Sequence, residues 1–272
     1  MTYELRDIDF EKISRLIYEQ CGINLHEGKK ELVKARLSKH LREGGFRSFA
    51  EYSRYVTTKE GSDELISMID SLSTNLTSFF REEAHFRKLH EILPEMVGSS
   101  SRCGLRVWCA GCSTGEEPYS LAITIKESLN GRGQGANVSI VATDISTRVL
   151  RTAAAGIYSS ERVKKISPSL LSKYFQIGHG KWQGSYRVKN DLKNMITFMR
   201  VNLMERPLFD QPFDVIFCRN VMIYFDKETQ GRLINRFYHS LGAKGWLFIG
   251  HSESLTGLNH SFRYVEPSVY RK

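Results

Sequence analysis

The sequence predicts an α/β domain with a doubly wound, mostly parallel sheet, preceded by an all-α N-terminal domain. Three observations lead there. Residues 8–70 carry apolar side chains at helical spacing, punctuated by glycines. From Leu105 onward, short β-branched runs alternate with helical stretches, as parallel strands joined by crossover helices do. The run Val107-Trp108-Cys109-Ala110-Gly111 passes from an apolar strand into a small-residue turn and then a helix start, the first βα unit of such a sheet.

In chain order, the N-terminal domain (1–72) shows apolar stripes at Ile8, Ile13, Leu16 and Ile17, then Leu32, Val33, Leu37 and Leu41, then Leu65, Ile66, Ile69 and Leu72. Gly22, Gly28, Gly44, Gly45 and Gly61 separate them, so about four short helices are expected. Residues 73–100 read as a linker. Strands in the second domain (101–272) are expected at 105–110, 138–143, 196–201, 213–218 and 246–250, with a closing antiparallel pair at 262–265 and 268–271. A segment of about 156–195 interrupts the alternation. Two alternating runs, 173–177 and 185–189, flank the glycine-rich loop 178–184 and read as an antiparallel hairpin, a small β-subdomain inserted into the sheet domain.

Composition narrows the function classes. The chain has 272 residues, 41% of them hydrophobic, and no apolar run approaches the roughly 20 needed to span a membrane. Its first residues lack a basic region followed by an apolar one, so no secretory signal is expected and the cytoplasm is the expected location. Five cysteines, Cys21, Cys103, Cys109, Cys112 and Cys218, read as small buried thiols in a reducing compartment. Cys109 and Cys112 form a C-x-x-C, but no second pair or histidine cluster completes a metal set, so no metal is expected. The net charge of +9 and pI of about 9.3 suit an acidic partner, whether nucleic acid, membrane surface or protein. The charge is concentrated in Lys29, Lys30, Lys34, Arg36, Lys39, His40 and Arg42, opposed only by Glu31 and set opposite an apolar stripe. That face is either solvated or a docking surface.

The turn after the first strand is the most informative motif. Gly111 and Gly115 admit close backbone approach. Glu116 and Glu117 follow at once, which is ill suited to a phosphate at a helix N-terminus. No G-x-G-x-x-G is present, which argues against a dinucleotide. Carboxylates there suit a ligand with hydroxyls and positive charge, and S-adenosylmethionine has a ribose, an ammonium and a sulfonium. Asp144 ends the second strand, where it either accepts from ribose hydroxyls or caps the helix at Ser146. Asn202 and Leu203 follow the third strand and suit an adenine edge and face, or simply a turn. Arg219 and Asn220 end a buried strand at the ligand-binding rim, and Tyr224 follows closely enough to return its hydroxyl to the same cleft. The segment from Ser73 to Arg81 sets polar groups beside Phe79 and Phe80. It reads as a ligand contact, or as a helix cap in which Thr77 or Ser78 precedes Glu82 and Glu83.

Together these motifs identify a family. The chain resembles the chemotaxis receptor glutamate O-methyltransferases over nearly its full length. The resemblance rests on Thr74-Asn75-Leu76-Thr77-Ser78-Phe79-Phe80-Arg81, Ser113-Thr114-Gly115-Glu116-Glu117-Pro118-Tyr119-Ser120, Ala142-Thr143-Asp144-Ile145, Phe217-Cys218-Arg219-Asn220-Val221-Met222-Ile223-Tyr224-Phe225 and Gly250-His251-Ser252-Glu253. It implies a Rossmann-like class I methyltransferase domain, S-adenosylmethionine as methyl donor and receptor glutamates as acceptors. The implied cofactor contacts are Asn75, Thr77, Arg81, Glu116, Asp144, Asn202, Leu203, Arg219 and Asn220, with Tyr224 near the transferred methyl and with Tyr224 and Arg81 as the catalytic residues. It implies membrane chemoreceptors as partners, met through the basic helical face and, in some members, through a receptor tail peptide held by the β-subdomain. Neither nucleic acid nor membrane insertion is expected. A nucleic-acid methyltransferase would carry a base-stacking aromatic motif or a Lys-Asp-Lys-Glu set, and none is assigned to a strand end here. A glutamate acceptor is already ionised at neutral pH, so no general base is required. Arg102 or Arg106 is a candidate to steer the acidic acceptor.

Overall fold

The computed structural model describes residues 3–73, 75–99, 104–129, 137–205 and 209–272. Arg102, Cys103 and Thr74 lie outside the described residues. The N-terminal domain consists of α1 (Asp7–Cys21), α2 (Lys30–Glu43), α3 (Phe49–Tyr55) and α4 (Ser62–Leu72). Their apolar stripes meet in one core that includes Ile13, Ile17, Val33, Leu37, Leu41, Phe49 and Ile69. Ile8 does not join it and is 54% exposed, because Phe10, not Ile8, shares the inward helical face with Ile13 and Ile17. Ser48 starts α3 by accepting from the Glu51 N–H at 3.2 Å, while the Glu51 carboxylate accepts from the Arg47 N–H at 2.7 Å.

Much of the stretch expected as linker is structured. Residues 75–82 form a strap of extended backbone and turns, and α5 (Glu83–Ser99) follows as a full helix. Phe86, Leu89 and Leu93 of α5 are buried in the core of the sheet domain. Thr77 and Ser78 therefore do not cap that helix. Phe80 and Glu82 adopt left-handed backbone, with φ of 51° and 57°, which separates the strap from the helix start.

The sheet domain contains β1 (Gly104–Ala110), α6 (Glu116–Leu129), β2 (Asn137–Asp144), α7 (Thr147–Ala155), β6 (Ile196–Arg200), β7 (Phe213–Cys218), α11 (Lys227–Ser240), β8 (Leu241–Ile249), β9 (Arg263–Glu266) and β10 (Val269–Arg271). The strand order is β6-β2-β1-β7-β8-β10-β9. β6, β2, β1, β7 and β8 run parallel, and β10 pairs antiparallel with both β8 and β9. β1 and β7 are neighbours far apart in sequence, so the winding direction reverses between them. Such a switch point opens a crevice at the carboxyl ends of the strands. One face of the sheet packs against α5 and α6 around Val107, Phe217 and Phe248. The other packs against α11 around Trp108, Ile216, Leu247 and Phe237.

The inserted subdomain is a three-stranded antiparallel sheet in the order β3 (Ile157–Ser159), β5 (Ser185–Val188), β4 (Phe175–Ile177). Between β3 and β4 lie α8 (Ser160–Val163) and α9 (Pro168–Tyr174), and α10 (Asn190–Lys193) follows β5. β5 is the central strand, paired on both sides, so the open edges belong to β3 and β4. Lys173 and Tyr174 fall in α9, because Pro168 at its N-terminus and Ser167 as its cap set a helical turn there.

Candidate functional site

The carboxyl end of β1 turns sharply. Gly111 has φ +86°, and a Cβ there would stand 2.3 Å from Val221 Cγ2. The N–H groups of Gly111 and Cys112 both donate to the Thr143 carbonyl at 2.8 Å, tying the turn to the end of β2. Ser113 then donates its N–H to Asp144 Oδ2 at 2.8 Å, and Ser146 donates to Oδ1 at 3.0 Å. Asp144 is buried, which raises its carboxyl pKa, while these backbone donors pull it back down. Each oxygen keeps acceptor capacity beyond that one bond. The cap of α7 is Ser146, whose Oγ accepts from the Val149 N–H at 3.3 Å.

Gly115 does a different job from Gly111. At φ +97°, a Cβ there would lie 2.9 Å from the Ala153 Cα and 2.7 Å from the Tyr158 hydroxyl. It permits close packing of the turn on α7 and β3, not ligand approach. Gly115→Ala is therefore expected to destabilise the fold by about 1–3 kcal/mol, measured as a shift of the denaturant midpoint. A midpoint within error of wild type would contradict this packing role.

A cleft of about 950 Å³, open to solvent, lies against this turn. Its lining comes from the strap, the end of α4, the strand ends with the turn into α6, the loop after β7, and α1 with its following residues. The structure brings Asn75, Thr77, Arg81, Asp144, Asn202, Leu203, Arg219, Asn220 and Tyr224 to it. The strap is held by the Ser113 hydroxyl, which donates to the Asn75 carbonyl at 2.9 Å. Arg81 Nη1 donates to the Leu76 carbonyl at 3.0 Å.

Glu116 is not brought to the cleft. It is fully buried, accepts from the Thr114 hydroxyl at 2.7 Å and forms an ion pair with Arg162 of α8. It fastens the β-subdomain to the turn. Its neighbour Glu117 lines the cleft instead, because one step along α6 turns the side chain by about 100°.

Glu117 belongs to a buried charge cluster. Arg219 is 4% exposed and reaches Glu117 Oε2 through Nη1 at 2.9 Å and Glu82 Oε2 through Nη2 at 3.0 Å. Nη2 also donates to the Arg81 carbonyl. Burial raises the Glu117 carboxyl pKa, with Arg219 opposing the shift. Burial acts the same way on Glu82, but Arg219 and the His251 N–H together outweigh it and hold that carboxyl below its usual value. Arg81 joins the cluster, its Nε 4.0 Å from Glu82 Oε1, so two carboxylates stand with two guanidiniums beside the cleft.

The loop after β7 is organised from a distance. Glu253 accepts from the N–H groups of Gly250 at 2.6 Å, Met222 at 2.7 Å and Asn220 at 2.9 Å. This lets Asn220 hold a left-handed φ of 58° and aim into the cleft. Tyr224 ends a short 3₁₀ turn (Met222–Tyr224), and its carbonyl accepts from the Asn24 N–H at 2.8 Å. Tyr18 of α1 donates to Asp226, the cap of α11, at 2.6 Å. The helical domain thus holds the Tyr224 segment from both sides, and Cys21 and Ile23 complete that wall.

Asn202 is already engaged. Its amide nitrogen donates to the Gln20 carbonyl at 2.6 Å and to Glu205 at 3.1 Å, and its Oδ1 accepts from the Met204 N–H at 3.0 Å. Leu203 packs on the α11 side of the sheet. Arg106 stands outside the lining. It donates to the Gln211 carbonyl and lies over the Phe213 ring at 4.7 Å, so it is held near the start of β7 and not at its ligand-facing end. Cys21, Cys109, Cys112 and Cys218 are free and buried, and burial raises each thiol pKa. Cys109 donates to Glu117 at 3.2 Å.

Five parallel strands closed by an antiparallel pair, with a cleft at the strand ends lined by Asp144, Glu117 and Arg219, define a Rossmann-like methyltransferase domain. Residues 75–271 match the CheR methyltransferase SAM binding domain, and residues 8–73 match the CheR methyltransferase all-alpha domain. The chain belongs to the CheR methyltransferase family. It is similar to the chemotaxis protein methyltransferase of Borreliella burgdorferi, with 42% identity over 97% of this chain and 94% of that one. The Salmonella typhimurium enzyme of the same name is also 42% identical, over 98% and 90% of the two chains. Chemotaxis protein methyltransferase 2 of Pseudomonas aeruginosa is 41% identical over 96% and 92%. The protein is accordingly an S-adenosylmethionine-binding methyltransferase of chemotaxis.

Proposed function

We propose that this protein transfers the methyl group of S-adenosylmethionine to glutamate side chains of membrane chemoreceptors, forming methyl esters. The observation that carries the reading is the cleft at the switch point, into which Asp144 and Glu117 bring two carboxylates beside Arg81 and Arg219. Its residues fit the donor. Asp144 has acceptor capacity for ribose hydroxyls. The carboxylates of Glu117 and Asp144 suit the donor's ammonium and sulfonium. Ile145, Val201 and Leu203 offer apolar cover for an adenine ring. Asn202 serves through its backbone and by bracing the cleft wall, since its side chain is spent on Gln20, Met204 and Glu205.

When bound, S-adenosylmethionine supplies an electrophilic methyl carried on a sulfonium. Tyr224 and Arg81 stand in the lining, where Arg81 retains donors beyond its bond to Leu76. Arg81 attracts the acceptor carboxylate and Tyr224 orients it. An unperturbed glutamate pKa near 4.3 makes the acceptor a ready nucleophile at neutral pH. Catalysis then rests on holding the oxygen about 3 Å from the methyl, in line with the leaving sulfur. Label from a tritiated methyl donor should appear in receptor membranes as alkali-labile ester. Label that resists mild alkali would exclude ester formation.

The receptor contact is assigned to α2, but with fewer residues than its sequence suggests. Arg36 Nη1 donates to the carbonyls of Ser71, Leu72 and Ser73 at 2.9–3.2 Å and so caps α4. His40 bonds Glu64 at 2.7 Å and the Ser71 hydroxyl at 2.6 Å. Lys39 and Arg42 remain exposed on the outer face. Reversing both to glutamate is expected to raise the receptor KM several-fold while cofactor affinity stays unchanged. Added salt should weaken the wild-type contact, since the screening length is about 8 Å at physiological ionic strength. An unchanged, salt-independent KM would leave this face a solvated one.

A receptor tail peptide is assigned to the β-subdomain. Exposed Ile157 on β3, Ile177 on β4 and Trp182 in the loop between β4 and β5 supply apolar contacts beside unpaired strand edges. Rates on receptors with and without their tails measure this tether, and equal rates and affinities would remove it. No helix among the described residues is long and apolar enough to cross a membrane. A cytoplasmic location agrees with the free, buried thiols.

A further inference from the structure

Behind Arg219, three side chains outside the cleft lining converge. Glu82 ends the strap, His85 lies in the first turn of α5, and His251 follows β8. One ligand atom from each lies within 4.8 Å of the other two. Glu82 Oε2 is 3.6 Å from His85 Nδ1 and 4.0 Å from His251 Nε2. The two rings meet edge to face. His85 is 1% exposed, yet among the described residues neither of its ring nitrogens has a hydrogen-bond partner. Leaving a buried polar atom unpaired costs about 1–3 kcal/mol, so this imidazole is poised for a partner that the described residues do not supply. His251 is half exposed and opens the cluster to solvent.

We propose that Glu82, His85 and His251 bind a divalent transition-metal ion of the zinc class, and that this ion opposes cofactor binding. Two imidazoles and one carboxylate are a donor set of open zinc sites. The sequence conceals the cluster, because His251 lies more than a hundred residues from Glu82 and His85 and no short spacing pattern marks it. Zinc–ligand bonds of about 2.0–2.2 Å require the three atoms to draw closer. The exposed His251 makes most of that movement, while Glu82 and His85 are already adjacent. The antagonism follows from one shared atom. Glu82 Oε2, which would hold the ion, is the oxygen that holds Arg219 Nη2 at 3.0 Å. An ion there competes for the carboxylate and places a second positive charge beside the guanidinium that lines the cleft. That same guanidinium keeps the site weaker than a structural zinc centre. Linkage makes the effect reciprocal, so the cofactor weakens the metal by the same factor.

The test uses the full chain, stripped of metal with a chelator. Co²⁺ alone is titrated in, and its visible ligand-field absorption reports coordination. Zn²⁺ is then added in competition. The expected result is one equivalent of Co²⁺ bound, displaced by Zn²⁺, with affinity reduced at least about tenfold in His251→Ala and in His85→Gln. Melting curves accompany both variants. If the buried His85 substitution impairs folding, the exposed His251→Ala decides. Saturating Zn²⁺ should raise the Kd for S-adenosylmethionine about fivefold or more in wild type and leave it unchanged in His251→Ala. Absent Co²⁺ bands, or bands of equal affinity in His251→Ala, overturn the site. An unchanged cofactor Kd under saturating zinc overturns the antagonism. Failure of the metal-free protein to bind the cofactor would count against the functional reading and not against the metal site.

Discussion

Arg219→Met is expected to lower the unfolding free energy by about 3–5 kcal/mol. The substitution keeps length and apolar packing beside Phe86 but removes the charge shared by Glu117 and Glu82. Glu117 is largely buried and would keep only the Cys109 thiol of the two hydrogen-bond partners described. Breaking one side of a buried ion pair strands a desolvated charge, and that penalty exceeds the net worth of the intact pair. The pH dependence has a definite sign. Burial already raises the Glu117 carboxyl pKa, and losing Arg219 removes its main opposing influence. A folded pKa raised above the unfolded value gives stability that is present in acid and lost as pH rises through the folded pKa. The deficit of the variant should therefore grow from pH 5 to pH 8, as read by denaturant midpoints. A deficit below about 1 kcal/mol across that range would mean the cluster is not the internal support described.

Asp144→Ala is expected to weaken S-adenosylmethionine binding by about 1.5–3 kcal/mol, the range for a hydrogen bond to a charged group. Two effects act together. The ribose loses its carboxylate acceptor, and the N–H groups of Ser113 and Ser146 lose the group that fixes the turn. Asp144→Asn separates them. It keeps one carbonyl acceptor while removing the charge and one oxygen, so its affinity should lie between wild type and alanine. Calorimetry on folded protein measures both variants. Wild-type affinity in Asp144→Ala would take this residue out of the site.

The parts of the fold legible in the sequence are those encoded by local periodicity. The apolar stripes of the four helices and the β-branched runs of the parallel strands have a physical period that survives without knowledge of partners. The cleft was legible where function sits at strand ends, as with Asp144, Arg219 and Asn220, because the topology itself sends those positions to one crevice. Three kinds of feature were not legible. Adjacent acids cannot be told apart by composition, since helix phase alone buries Glu116 against Arg162 and turns Glu117 to the cleft. Long-range hydrogen bonds hide the role of a charged residue, so Arg36 looks like part of a basic docking face although it caps α4. The strap and α5 carry ambiguous local signals. Only packing of Phe86, Leu89 and Leu93 assigns that helix to the sheet domain.

The two domains share responsibility for the site. Asp70 of α4 accepts from the Thr147 hydroxyl and the Arg148 N–H at the start of α7, at 3.1 and 3.2 Å. Gln20, Tyr18 and Asn24 brace Asn202, Asp226 and Tyr224. The helical domain that carries the basic α2 face therefore also shapes the wall beside Tyr224. The helical domain and the sheet domain thus form one connected framework around the cleft.

The central claim is that the acceptor is a receptor carboxylate. Purified protein, tritiated S-adenosylmethionine and membranes carrying chemoreceptors test it in one assay, with the label scored after mild alkali. The account predicts receptor-dependent label released by alkali as methanol, and none on receptors whose acceptor glutamates are replaced by alanine. Alkali-stable label, label on nucleic acid, or equal label on the alanine receptors would contradict it.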